Sequence, residues 1–228
     1  MHLNSIASEG NFFVISRLPG FQTDTSLHSQ IECILEDSYT DPASLLARAY
    51  QNNNEIYLCH DDDGQLCGFY MVGENQIAGQ KIIYLGLSGV AEGKKGLGIG
   101  KMLYRAHYED LKKRARQTNQ DITCWATTAS IGVYQAMKNI YDSISPDGRY
   151  FEMEELALVN AIAAYKNFKM STSFPFLAER AADGTNYSAS EATRLATFTS
   201  GRNHNFFEEI DLDEKAGDRL LLVVRVFA

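Results

Sequence analysis

The segment Gly89 to Leu103 (GVAEGKKGLGIGKML) restricts what this chain can fold into more than any other part of it. Five glycines and three lysines share its fifteen residues. The run that leads into it, Lys81 to Val90 (KIIYLGLSGV), reads as a strand buried on both faces. The run that follows has helical spacing to about Gln117, with Ile99, Leu103, Ala106 and Leu111 on the inner face. Strand, glycine-rich turn and helix in that order form a cradle for an anion. Glycines let the backbone approach a bulky phosphate with no Cβ in the way. The first amides of the helix have no internal acceptor and lie at the positive end of its dipole.

Charge points to the same place. The chain carries 21 basic and 29 acidic residues, a net −8. That balance excludes general nucleic-acid binding, because phosphate contacts need lysine and arginine in number. Residues 94–116 nevertheless hold eight basic and two acidic residues, net +6, which leaves −14 for the rest. A basic segment on an acidic body fits a local anion site, and it also fits a solvated helix face. Two familiar phosphate motifs fail here. The nucleotide P-loop needs Gly-x-x-x-x-Gly-Lys-Ser/Thr, but position 95 is Lys and Met102 follows Gly100-Lys101. The dinucleotide fingerprint Gly-x-Gly-x-x-Gly fails because Gly100 comes one residue early. A nucleotide-phosphate binder using the same loop stays open as a weaker reading.

Upstream, Asn11 to Leu18 is expected as a strand closed by Pro19-Gly20, and Ser26 to Leu35 as a helix. Asp41-Pro42 caps a second helix bearing Leu45, Leu46, Ala49 and Tyr50. Glu55 to His60 and Gln65 to Val72 read as strands around the turn Asp61 to Gly64, an acidic turn without the later ligands of a calcium loop. Downstream, Asp121 to Ala126 is a buried strand and Ser130 to Tyr141 a helix. The order β-α-α-β-β-β-α-β-α predicts a mixed α+β sheet. After a turn at Ser145 to Gly148, a helix is expected at Phe151 to Tyr165 and another at Ser188 to Thr197. Asn205 to Leu212 and Arg219 to Phe227 read as a closing antiparallel pair around the turn near Gly217.

The hexapeptide Lys95-Gly96-Leu97-Gly98-Ile99-Gly100 resembles the coenzyme A signature of the GCN5-related N-acetyltransferases (GNAT), Arg/Gln-x-x-Gly-x-Gly/Ala, with Lys95 in the basic position and Val90 at the usual distance upstream. The element order down to about Tyr141 is also that family's, and the resemblance covers roughly 11–143 and 205–228. It implies an α+β fold with a central mixed, mostly antiparallel sheet, splayed fourth and fifth strands, and flanking helices. It implies acetyl-coenzyme A, or another acyl-coenzyme A, as co-substrate. The pyrophosphate would rest on the amides of Gly96, Leu97, Gly98, Ile99, Gly100 and Lys101, beside Lys95, and Val90 would offer backbone groups to the thioester arm. Tyr134 would be the general acid for the departing thiolate; read from the residues alone, it is a core tyrosine with a satisfied hydroxyl. The fourth strand lacks the carboxylate base of many members, and the nearest candidates, Glu92 and His107, read by themselves as a solvated acid and a packed or surface histidine.

The expected function is therefore an acyl-coenzyme A-dependent N-acyltransferase. It would move acetyl to a primary amine of a small molecule or protein through a tetrahedral intermediate. A non-catalytic acyl-coenzyme A sensor on the same fold is the alternative. The whole chain, 1–228, is expected as one domain with an aromatic insertion at about 145–205 that serves as lid, acceptor wall or homodimer surface. Glu152, Glu154 and Glu155 in that insertion would either attract a cationic acceptor or form a solvated face. Cys33, Cys59, Cys67 and Cys124 form no Cys-x-x-Cys pair, so reduced thiols and no metal are expected. No apolar run is long enough for a bilayer and the first residues lack a signal-peptide pattern, so a cytoplasmic protein without a membrane partner is expected.

Overall fold

The computed structural model describes residues 4–8, 11–20, 25–182, 187–200 and 206–228. The chain opens with β1 (Asn4–Ser8) and β2 (Asn11–Pro19), followed by α1 (Thr25–Glu36) and α2 (Pro42–Asn52). Asp41 caps α2 by accepting from Ser44 N at 3.1 Å, and Pro42 starts it. A meander follows of β3 (Glu55–His60), β4 (Leu66–Ile77) and β5 (Gln80–Val90). Next come α3 (Ile99–Thr118), β6 (Ile122–Thr128) and α4 (Ile131–Lys138), the last capped by Ser130 on Val133 N at 3.3 Å. The remainder is β7 (Ser143–Ser145), α5 (Met153–Lys166), β8 (Lys169–Met170), β9 (Leu177–Glu179), α6 (Ala189–Ser200), α7 (Phe206–Glu209) and β10 (Arg219–Val226).

The strands form one sheet in the order β1-β2-β3-β4-β5-β6-β10-β9-β8, with β7 also paired to β10. Every pairing is antiparallel except β5 with β6. The middle strands are apolar on both faces because both faces are covered. Along β3, Ile56 and Leu58 join Ile31, Leu35 and Leu46 beneath α1 and α2, while Tyr57 and Cys59 join Leu103 and Leu111 beneath α3. Leu35 and Leu46 have no exposed surface, so truncating either to alanine costs about 2–5 kcal/mol.

The parallel pairing is short, and this shapes the site. It runs only through Ile83↔Cys124, Tyr84↔Trp125 and Leu85↔Ala126. Beyond Leu85, β5 stays with β4 (Tyr70↔Ser88, Phe69↔Gly89, Gly68↔Val90) after a register shift between Tyr70 and Val72, whereas Thr127 and Thr128 of β6 stay with β10. An irregularity of that kind bends and twists its strand. The two strands part, and among the described residues no strand pairs with the edge Gly86–Val90 on the β6 side. These are the fourth and fifth strands of the expected fold, displaced by one in number because β1 precedes them.

Two expectations need correction. No strand was anticipated at Asn4–Ser8, and the closing pair is not a pair. Asn205 lies outside the described residues, and Phe206–Glu209 is a helical turn. Phe206, Phe207 and Ile210 are all buried, a spacing of one and four that one helical turn satisfies and an alternating strand does not. The partners of β10 are β6, β7 and β9.

Candidate functional site

The turn between β5 and α3 uses backbone angles that suit glycine. A 3-10 turn at Glu92–Lys94 leads to Lys95 in extended conformation, then to Gly96 at φ +89° and Gly98 at φ +80°, both left-handed. Gly98 is the N-cap of α3, and its carbonyl accepts from Met102 N at 3.0 Å. A Cβ placed on Gly96, Gly98 or Gly100 would meet nothing within 4 Å. The Ile99 side chain turns into the core and is 1 % exposed, which anchors the helix start beneath the open turn.

That open space belongs to a cavity of about 380 Å³. Of the residues expected to hold a cofactor, Val90, Lys95 and Gly96 to Lys101 line it, except Leu97, which packs against the core. Lys95 is already engaged: its Nζ donates to Glu191 Oε2 at 2.9 Å, to Ser38 Oγ at 3.1 Å and to Glu92. Glu191 comes from α6 and also accepts from Arg194 Nε at 2.9 Å. Burial alone would raise the Glu191 carboxyl, yet Arg194 and Lys95 hold it below the usual range. Lys94 is drawn away to Asp61 Oδ2 at 2.8 Å. Lys101 has no ion pair among the described residues.

A second cavity, of about 370 Å³, lies where β5 and β6 part and is lined by Tyr84–Ser88 together with Trp125, Thr127 and Thr128. The two cavities share Tyr39, Ser88, Tyr104, Val133 and Tyr187. At this junction the hydroxyls of Ser88 and Tyr104 are 2.8 Å apart. Burial raises the Tyr104 phenol and the Ser88 bond moderates the rise, so it remains an O–H donor at neutral pH. Asn53, 7 % exposed, lines the second cavity; its amide nitrogen donates to Ala49 O, and its Oδ1 has no partner where it packs on Gly86. A Cβ on Gly86 would lie 2.2 Å from that oxygen, so any larger residue there displaces the Asn53 side chain.

The other candidates lie elsewhere. Tyr134 is 2 % exposed and lines neither cavity. Its hydroxyl donates to Pro146 O at 3.1 Å and accepts from Gly148 N at 2.8 Å, and its ring lies against Phe206 and Phe207. His107 is buried with Nδ1 3.1 Å from the Tyr141 hydroxyl, and burial pushes its imidazole down to about 3. Glu92 is exposed and held by Lys95. Glu152, Glu154 and Glu155 line neither cavity. The Tyr104–Ser88 junction and the Glu191 contact were missed in the sequence. Tyr104 does sit one position from Leu103 on the inner face of α3, a local clue, but nothing local ties Glu191 to Lys95.

A sequence model of the Acetyltransferase (GNAT) family matches residues 25–138, half of the chain, which includes the glycine turn and both parting strands. The chain belongs to the GNAT acetyltransferase family. Among solved structures, a GNAT family N-acetyltransferase from Escherichia coli in complex with CoA aligns at 15% identity over 59% of this chain and 68% of its own, TM-score 0.42. The ribosomal-protein-S18-alanine N-acetyltransferase from Escherichia coli aligns at 10% identity over 94% of this chain and 95% of its own, TM-score 0.47. A GNAT family acetyltransferase from Brucella melitensis in complex with acetyl-CoA aligns at 17% identity over 57% of this chain and 83% of its own, TM-score 0.40. No curated protein matches the chain. The GNAT sheet is seen here with its parallel pair and with additional strands at both edges. Among the described residues no helix is long and apolar enough to cross a membrane.

Proposed function

We propose that this GNAT chain is an acyl-coenzyme A-dependent N-acyltransferase that moves acetyl to a primary amine. The observation that carries the reading is the glycine cradle: three glycines whose missing Cβ atoms leave room at a helix N-terminus, opening toward the gap between β5 and β6. A diphosphate fits such a cradle, taking hydrogen bonds from the amides of Gly96 and of Gly98 to Lys101 and charge from Lys95 and Lys101. Val90 lines the same cavity and offers backbone groups to the thioester arm. The bound thioester supplies an activated acetyl carbonyl. A neutral amine attacks that carbon; the nitrogen loses one proton, the C–S bond breaks, and the sulfur leaves as thiolate and takes up a proton. The products are an amide and a free thiol.

The proton donor is assigned to Tyr104, the hydroxyl at the junction of the two cavities, paired with Ser88. Tyr134 would serve only after giving up both of its bonds to the Pro146–Gly148 turn. The cavities hold no carboxylate base, since Glu191 is the sole acid among the described residues lining them and is bound by two cations. That absence favours, as a second reading, a sensor that binds acyl-coenzyme A without turnover. One experiment separates the two. Acetyl-coenzyme A should raise the melting temperature well beyond ATP, and free thiol should then appear with a suitable amine. A shift without thiol release supports the sensor, and no shift removes both readings.

A further inference from the structure

Charge in the second cavity is one-sided. Arg48, Lys166, Arg180 and Arg219 all line it, and no Asp or Glu does. Arg219 is partly answered, by Glu214 at 3.6 Å and the Asp218 carbonyl. Arg48, Lys166 and Arg180 have no carboxylate within 4.0 Å among the described residues. Lys166 is the most built-in of the four. It ends α5, its Nζ donates to Asn52 Oδ1 at 2.8 Å, and it stands about 6 Å from the rings of Tyr84 and Trp125, the middle pair of the short parallel register. A half-buried ammonium with only a neutral partner is costly unless an anion arrives. The acidic residues of α5, by contrast, do not reach this space.

We infer that the acceptor is an amine that also carries an anionic group, a carboxylate or a phosphate, held against Lys166 and the three arginines with its nitrogen toward Ser88. This rests on the transferase reading. The same four cations disfavour an ammonium next to them, so the cavity presents the acceptor nitrogen in its neutral, nucleophilic form without a carboxylate base. Cationic acceptors are repelled by the same field. The acetyl transfer balances as before: the N–C bond forms, the C–S bond breaks, and the nitrogen's proton is matched by the one the thiolate takes up.

The test compares four small amines that differ in the far group: butylamine, diaminobutane, aminobutyrate and aminoethylphosphonate. Acetyl-coenzyme A binding is measured first by calorimetry. Thiol release is then followed at saturating acetyl-coenzyme A, and calorimetric binding of each amine to the loaded protein provides a second ranking. Aminobutyrate or aminoethylphosphonate should exceed butylamine and diaminobutane by about tenfold or more in kcat/KM or affinity, as expected for a charge pair of this kind; which of the two leads tells carboxylate from phosphate. Lys166→Met and, separately, Arg180→Gln should erase most of that preference and leave acetyl-coenzyme A affinity unchanged. Equal or better use of diaminobutane, no binding by either anionic amine, or a preference that survives both substitutions overturns the assignment. If Lys166→Met weakens acetyl-coenzyme A itself, the cavity belongs to the cofactor and the assignment also falls. Failure of acetyl-coenzyme A to bind at all defeats the transferase reading instead.

Discussion

Gly98 and Gly100 differ by two positions, yet substituting them should change stability in opposite directions and cofactor affinity in the same one. Gly98 caps α3 at φ +80°, and an alanine there costs about 1–2 kcal/mol for its left-handed backbone. At this chain length each kcal/mol moves the melting temperature by about 2–4 °C, so Gly98→Ala should melt about 2–8 °C lower. Gly100 lies in the first turn of α3 and is not among the residues of positive φ. Gly100→Ala should gain about 0.4–1 kcal/mol from reduced freedom of the unfolded chain, or about 1–4 °C. Neither methyl meets anything within 4 Å in the free protein. If a diphosphate rests in that space, each methyl overpacks the complex by about 1–3 kcal/mol, which is roughly a 5- to 150-fold loss of affinity. Thermal melts without ligand and calorimetric titration with coenzyme A measure the two effects separately. A Gly100→Ala protein that is more stable and binds coenzyme A like the parent would refute the cradle, because no folding defect could then conceal an intact site.

Three further outcomes follow from particular contacts. Glu191→Gln should lower stability, because Lys95 and Arg194 lose a nearly buried partner, and should tighten acetyl-coenzyme A by roughly fivefold or more, about 1 kcal/mol; affinity that falls with stability would show that α6 orders the site and does not compete for it. Tyr134→Phe should cost about 1–3 kcal/mol by stripping Pro146 O and Gly148 N of the hydroxyl they share and leave kcat nearly intact, whereas Tyr104→Phe should lower kcat by about tenfold or more; the reverse pattern in steady-state kinetics would return the acid role to Tyr134. His107 is buried with its imidazole pushed down to about 3 from an ordinary 6.5. Its folded form therefore stays neutral while the unfolded chain takes up a proton, so its contribution is full above about pH 6.5 and falls as pH drops toward 3, by about 2 kcal/mol at pH 5. His107→Gln should flatten that part of the pH dependence in urea midpoints at pH 7 and pH 5, and an unchanged slope would contradict it.

Local features were legible in the sequence because their causes are local. A positive φ, a helix N-terminus and an Asp-Pro cap are set within a few residues, so the turn at Gly96 and Gly98, the start of α3 and the cap at Asp41 could be read without a partner in view. The buried strand at Asp121–Ala126 was legible too and is β6, whereas β5, expected to be buried on both faces, is only half-buried from Gly86 to Val90, where the sheet parts. The segment around Phe206–Glu209 shows where such reading stops: two phenylalanines, two glutamates and an isoleucine suit a short strand as well as one helical turn, and the contact with Tyr134 decided between them. Which strands flank β10 was equally out of reach, because pairing depends on segments far apart in the chain.

The same division runs through the site. From residue order alone came the cradle, its lysines and the membership of the GNAT family that they announce. Tertiary structure alone set Glu191 on Lys95 across 96 residues, placed Tyr104 beside Ser88 where the two cavities meet, and gathered cations from positions 48, 166, 180 and 219 around one cavity. Coulomb forces and hydrogen bonds act between groups that are close in space, however distant in sequence. A chain therefore announces the parts whose geometry each segment makes for itself, and only the folded sheet decides what faces them.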